Sequence, residues 1–345
     1  MSVFATAVAR HPRYSVVLVF LLALITFLLL PQSSYHAIKL AHNEGPSSLV
    51  SDPVDYFRNR ASLRPLQAIL QEQEELYKFH LQRREGLVKK YGPTAAQVEA
   101  FPSNGQFYTL WDFFLPAFQC PHRVERIGNL GDGGKWMCGF DRVARQRDCV
   151  IYSFGLNGEV SFEAELLSRA PNCQIWGYDF SVSSIGSDIE HGFDRDNRSL
   201  ASRAHFKPYA LTGTDEHAST PPKWTLKSLL QANGHKFIDV LKIDIESWEF
   251  EALEPFVREY IHSGEPLPVG QMQIEIHATE SSGYGTFEKF RQWWEELEKA
   301  GLRPFWTEPN MVYMNIIRGA RPDLVEYSFM NIRGEHALVS DKWIS

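Results

Sequence analysis

From Cys149 onward, short β-branched and aromatic runs alternate with longer amphipathic segments, and no other property restricts the fold of this chain as tightly. "CVIYSFG" leads into "EVSFEAELLSRA", and "QIWGYDF" and "HFKPYAL" come before "TLKSLLQAN". "FIDVLKIDI" leads into "WEFEALEPFVREYI", and "GQMQIEIHA" into "YGTFEKFRQWWEELEKAG". "LRPFWTEPN" then reads as a sixth strand and "LVEYSFMNI" as one that closes the sheet. Strands separated by helices predict an α/β architecture: a mostly parallel sheet with helices on both faces. Pro208 within the third run places it at an edge or at a strand end, because proline cannot donate to a central ladder. Ligands of such sheets bind beyond the carboxyl ends of the strands, near the switch in strand order. Function is therefore sought at the strand ends.

The first strand ends in "SFGLNGE", where Gly155 and Gly158 flank Asn157. Glycine there allows positive φ and a close approach of backbone to ligand, and a helix N-terminus follows. An ordinary strand–helix turn would look the same, and the third glycine of the dinucleotide fingerprint is absent. The second strand ends at Asp179, about 24 residues after Gly155, where an acid can accept two hydrogen bonds from a ribose. The fourth strand carries "LKIDIESWEF", with Val240, Lys242, Asp244 and Glu246 on one face by period-two alternation. The fifth ends in "IEIHA", which turns Glu275 and His277 to one side. His277 is the candidate general base. A core histidine is the plainer alternative, and Asp244, Glu246, Glu275 and His277 also suit a divalent metal. Upstream, the glycines of "GDGGKW" suggest a tight hairpin that presents Asp132 and Lys135 near the pocket.

The N-terminus carries a different signal. Tyr14–Leu30 is an uncharged apolar run preceded by Arg10, His11 and Arg13. At about 17 residues it is near the lower limit for spanning a bilayer. Basic residues stay cytosolic, so a signal anchor would leave the rest of the chain lumenal; the alternative is a cleaved leader. A short span suits the thin membranes of the endoplasmic reticulum or Golgi. Four cysteines, Cys120, Cys138, Cys149 and Cys173, fit disulfides in that compartment, and none are spaced as CxxC. "NRS" at Asn197–Ser199 is an acceptor pattern for N-glycosylation. A net charge of -7 argues against a nucleic-acid partner. Residues 31–60 read as a loose stem, and 63–91 as a helix with Leu66, Ile69, Leu70, Leu76, Tyr77, Leu81, Leu87 and Val88 at helical spacing. Gln73 and Arg84 interrupt that stripe, which favours packing on the chain's own domain over a coiled-coil homodimer. The expected divisions are 1–31, tail and anchor; 32–109, stem; and 110–345, catalytic domain.

Taken together, "RIGNLGDGGKWMCGF", "CVIYSFGLNGEVSFE", "CQIWGYDF", "DVLKIDIESWEFEAL" and "QIEIH" resemble the membrane-anchored eukaryotic methyltransferase-like proteins related to FkbM methyltransferases, over about residues 110–335. The resemblance implies a Rossmann-like class I sheet and S-adenosyl-L-methionine as cofactor. Gly155, Asn157 and Gly158 would hold its methionine end, Asp179 its ribose, and Asp244 would border the transferred methyl. Asp132 and Lys135 would lie beside it, with Lys135 paired to the cofactor carboxylate. In the class I order the first two strands are neighbours, so Cys149 pairs with Cys173, while Cys120 and Cys138 staple the hairpin they flank. Two departures stand out. Ser153 and Asn157 replace a denser acid-and-glycine run, and Ser247 stands where the related "DIEG" motif has glycine. Serine at 247 would cap the following helix.

The expected reaction is methyl transfer to an oxygen of a sugar-like or small hydroxylated acceptor, glycans included, in the secretory pathway. A type II Golgi glycosyltransferase shares the anchor–stem–domain layout, and Asp194–Asp196 offers its acid-x-acid pattern. A methyltransferase-shaped scaffold without activity is the other rival. Trp293, Trp294, Phe305 and Trp306 read as core.

Overall fold

The computed structural model describes residues 64–343. The expected anchor, Tyr14–Leu30, and the stem at 31–60 lie outside them. Among the described residues, no helix is long and apolar enough to cross a membrane.

The described residues begin with a long helix, α1 (Leu66–Tyr91), followed by an antiparallel hairpin of β1 (Val124–Ile127) and β2 (Lys135–Cys138). A short helix α2 (Phe140–Ala144) leads to β3 (Cys149–Phe154), α3 (Ser161–Arg169) and β4 (Cys173–Tyr178). Next come α4 (Ser187–Glu190), β5 (Ala204–Lys207), β6 (Ala210–Leu211), β7 (Lys223–Trp224) and α5 (Leu226–Asn233). The last part runs β8 (Ile238–Ile243), α6 (Glu249–Ser263), β9 (Val269–His277), α7 (Phe287–Ala300), β10 (Leu302–Pro309), α8 (Met311–Ile316) and β11 (Leu324–Asn331).

Seven strands form the central sheet in the order β10-β11-β9-β8-β3-β4-β5. Neighbours from β9 to β5 are parallel, and β11 inserts antiparallel between β9 and β10. The expected α/β sheet is thus present, and β5 is an edge strand whose last residue precedes Pro208. Period-two alternation sorts the side chains between the two faces. Tyr152, Phe154, Leu241 and Ile243 pack with Leu229, Phe250 and Trp294 from the helices α5, α6 and α7. Ile151, Ile175 and Val240 pack on the other face with Phe162 and Leu166 of α3 and with Leu66, Leu70 and Tyr77 of α1. Trp293, Trp294 and Phe305 are core, and Trp306 stacks on Trp136 with ring centroids 4.1 Å apart.

The β1–β2 hairpin docks on the polar face of β9. Gln271 accepts from the Cys138 N–H and donates to its carbonyl, both at 3.1 Å, and Gln273 Nε2 donates to the Trp136 carbonyl at 3.3 Å. Cys120–Cys138 and Cys149–Cys173 are disulfide-bonded, the second pair lying directly opposite in the β3–β4 register.

Helix α1 packs on the chain's own domain, as expected of 63–91, but the face it buries needs correction. Arg84 pairs with Glu298 at 2.7 Å and Arg303 with Glu74 at 2.7 Å. The buried face of α1 is Leu66, Leu70, Gln73, Tyr77, Arg84 and Val88, so the two polar interruptions lie inside and Leu76 is exposed.

Candidate active site

β3, β4 and β8 end side by side, and the chain leaves each of them in a turn that the sequence dictates. At the end of β3, Gly155 has φ 75°, and the Asp244 N–H donates to the Phe154 carbonyl at 3.1 Å. A Cβ at 155 would overlap the Asp244 carbonyl oxygen, so only glycine lets the two strand ends lie this close. Lys242 Nζ donates to the Gly155 carbonyl from below, and Glu163 lies 4.0 Å from that ammonium while accepting from Ser153 Oγ. Ser153 therefore serves a buried network that braces the turn. At the end of β4, Asp179 accepts from the Asn157 N–H at 2.8 Å and from the Ser181 N–H and hydroxyl at 2.7 Å.

Beyond β8 the chain takes an uncommon path. Glu246 has φ 53° and Ser247 φ 81°, both in the region that side chains other than glycine seldom enter. Strand alternation thus stops at Asp244, and the Glu246 side chain swings into solvent. Ser247 does not cap α6: the capping position is Trp248, and no side chain caps there. The Ser247 hydroxyl lies 3.5 Å from Thr279 Oγ1.

A cavity of about 620 Å³ opens above these ends, within the usual range for small-molecule sites. Of the residues expected at the site, Asp132, Gly155, Asn157, Asp179, Asp244 and His277 line it, with Glu246 and Glu275. Gly158 and Lys135 do not. Lys135 is buried beneath, where its ammonium pairs with Glu326 and lies 3.9 Å from Asp244. It is therefore committed to carboxylates of the chain rather than free for a cofactor carboxylate. Burial opposes its charge, but Glu326 and Asp244 outweigh that and hold Lys135 above its ordinary range.

The electrostatics divide the acids. Burial works against ionisation of Asp244, and the Lys242 and Lys135 ammonium groups outweigh it, so its carboxyl lies below the usual range. Glu275 faces Glu326 across the β9–β11 register. Burial, then Asp244 and Glu326, pushes Glu275 up to about 8. Asn310 Nδ2 donates to Glu275 at 2.6 Å. His277 is buried, with Nδ1 3.2 Å from Glu249 Oε1 and Nε2 3.5 Å from Glu246 Oε2. The Glu249 carboxylate also accepts the His277 N–H at 2.6 Å. Burial disfavours the imidazolium, but Glu249, Glu275 and Asp244 prevail and push His277 up to about 9. At neutral pH the ring carries its proton, which weighs against its serving as a ready base.

The sequence reading missed Glu249, Asn310 and Glu326. Glu249 had one visible sign, an acid on the apolar face of α6 with Phe250, Leu253 and Phe256. Asp244, Glu246 and His277 offer ligand atoms within 4.8 Å of one another, as do Asp244, Glu275 and Glu326. In the second trio the Lys135 ammonium already pairs with Glu326 and lies 3.9 Å from Asp244. The acid-x-acid pattern at Asp194 is spent in the fold: Asp194 is buried, accepts from Arg198 Nε at 2.9 Å and lies 3.3 Å from Arg203 Nη2. It is not available to a metal–nucleotide sugar, which removes the specific support for a glycosyltransferase.

A glycine turn, a strand-two acid and a strand-four acid meeting at one cavity above this sheet define a Rossmann-like methyltransferase fold. A family profile described as "Methyltransferase domain" matches residues 73–321, and the chain belongs to that family. It is 29% identical to "Probable methyltransferase-like protein 24" of Rattus norvegicus over 177 residues, 49% of this chain and 46% of that protein. The human protein of the same name is 30% identical over 134 residues, 39% of this chain and 34% of its own. The chain thus spans less than half the length of these curated relatives. Among solved structures, the Methanococcus jannaschii fibrillarin pre-rRNA processing protein aligns over 54% of this chain and 68% of its own, at 15% identity and a TM-score of 0.33. At that score the likeness adds nothing to the strand order described above.

Proposed function

We propose that the chain is an S-adenosyl-L-methionine-dependent O-methyltransferase of the secretory pathway, related to the FkbM group and held by an N-terminal signal anchor with its catalytic domain in the lumen of the endoplasmic reticulum or Golgi. The observation that carries this reading is the convergence of Gly155, Asp179 and Asp244 on one cavity at the switch between β3 and β8. The residues present fit the cofactor. Gly155 lets the end of β3 lie against the Asp244 backbone, which sets that acid beside the glycine turn, Asp179 offers acceptor oxygens for ribose hydroxyls, and the ionised Asp244 suits a neighbouring positive charge. When bound, the cofactor supplies a methyl group already activated on a sulfonium.

The protein then has to align an acceptor and exclude water. Asp244 is held as a carboxylate by Lys242 and Lys135 and attracts positive charge at the centre of the cavity. His277, as imidazolium, positions Glu246. The exposed Glu246 carboxylate, 3.5 Å from His277 Nε2, is where the proton leaving an acceptor hydroxyl is taken up. The acceptor is a small hydroxylated molecule or glycan. Both disulfides and the exposed "NRS" turn at Asn197 support a lumenal setting. A thermal-shift comparison tests the reading: S-adenosylhomocysteine should raise the melting temperature and UDP with manganese should not. The reverse result would favour the glycosyltransferase, and no response to either would favour the inactive scaffold.

A further inference from the structure

The proposed methyltransferase cavity is two-sided, and its second side carries a preference that the donor-binding features do not explain. Gly155, Asn157 and Asp179 lie at the β3–β4 end, where the cofactor would be held. The exposed Phe180 lines that end as well, and across Asp244 the β9–β11 end carries apolar groups of its own. Helix α8 joins β10 to β11, is capped by Asn310, and turns Val312 and Ile316 into the cavity. Trp248, at the start of α6, lines it too. These three side chains remain 42%, 72% and 51% exposed, respectively, for Val312, Ile316 and Trp248. Large apolar groups grouped at the mouth of a site mark contact with an apolar ligand surface more often than chance does. The same cavity is also lined by polar groups, the exposed Glu246 and the buried Glu275 and His277.

We infer that the acceptor is an amphiphile: a hydroxyl-bearing head that reaches Glu246 and His277, joined to an apolar body that lies on Val312, Ile316 and Trp248. This rests on the methyltransferase reading above and narrows its acceptor from hydroxylated molecules in general. A free sugar would leave all three apolar side chains in water, whereas an alkyl or aryl body covers them. The transfer balances simply. The acceptor oxygen forms a bond to the methyl carbon, the carbon–sulfur bond breaks with its electron pair kept by sulfur, and the hydroxyl proton passes to Glu246.

The test measures binding. The protein is saturated with S-adenosylhomocysteine and titrated calorimetrically with methyl, hexyl and octyl β-glucosides below their micelle concentrations. The inference expects affinity to rise by roughly two- to fourfold per added methylene until the apolar side chains are covered. The Val312→Ser and Ile316→Ser variants should flatten that rise while leaving affinity for S-adenosylhomocysteine unchanged. Equal affinity for the methyl and octyl glucosides, or a rise that survives both variants, would overturn it. If S-adenosylhomocysteine itself fails to bind, the methyltransferase reading falls first and this inference with it. Binding of S-adenosylhomocysteine without chain-length dependence overturns the amphiphile alone.

Discussion

Ser247 stands where the expected "DIEG" pattern has glycine, and its backbone takes a conformation that suits glycine. Its φ of 81° is the one a glycine would take without cost. A left-handed residue other than glycine costs about 1–2 kcal/mol, partly offset because serine restricts the unfolded chain more than glycine does. Ser247→Gly should therefore stabilise the protein by about 0.5–1 kcal/mol in urea denaturation; a clear loss of stability would show that the Thr279 contact outweighs the strain. His277 gives a second prediction. Its folded pKa of about 9 lies above the ordinary 6.5, so the stability it contributes is full below pH 6.5 and lost as pH rises toward 9. The denaturation midpoint should fall over that window, and His277→Gln should flatten the fall; an unchanged slope in the variant would discard the assignment. Asp244 and Asp179 were legible in the sequence because each ends an apolar strand. Glu326 and Asn310 were not, since a cross-strand register and the capping of α8 bring them to the site.

The seven strands and the helices α3, α5, α6 and α7 could be read directly, because each obeys its own period and is bounded by turn residues, whereas the short α4 and α8 were not read. Helix α1 could be located but its buried face could not. Apolar periodicity favours Leu76 and rejects Gln73 and Arg84, yet Arg84 lies inside because Glu298 of α7 meets it there, and the Tyr77 hydroxyl donates to the same carboxylate at 2.5 Å. Only the fold brings residues 84 and 298 together. Removing one partner of a buried pair leaves a charge uncompensated, so Arg84→Met should cost about 3 kcal/mol or more. Arg84→Met with Glu298→Gln should cost less than the first change alone, as measured in a double-mutant cycle. Additive costs would mean that the pair contributes nothing as a pair. The same packing buries Leu66, Leu70, Tyr77 and Val88 of α1 and leaves Leu76 and Phe79 on the outer face.

At the scale of the whole molecule, the proposed lumenal setting rests on three separate residue sets: the disulfides, the sequon and the apolar run Tyr14–Leu30. Asn197 is exposed in a left-handed turn, which leaves its amide accessible in the folded chain. Expressed in mammalian cells, the protein should shorten by one glycan on treatment with an N-glycosidase, and Asn197→Gln should abolish the shift; an unshifted wild type would place the domain outside the lumen. The central claim is that the cavity at the ends of β3, β4 and β8 binds a positively charged methyl donor beside Asp244. Calorimetry on the wild type and on Asp244→Asn, with S-adenosylmethionine and then with uncharged-sulfur S-adenosylhomocysteine, tests it most directly. The account predicts that the variant loses about tenfold or more in affinity for S-adenosylmethionine and clearly less for S-adenosylhomocysteine. Equal affinities of wild type and variant for S-adenosylmethionine would contradict it.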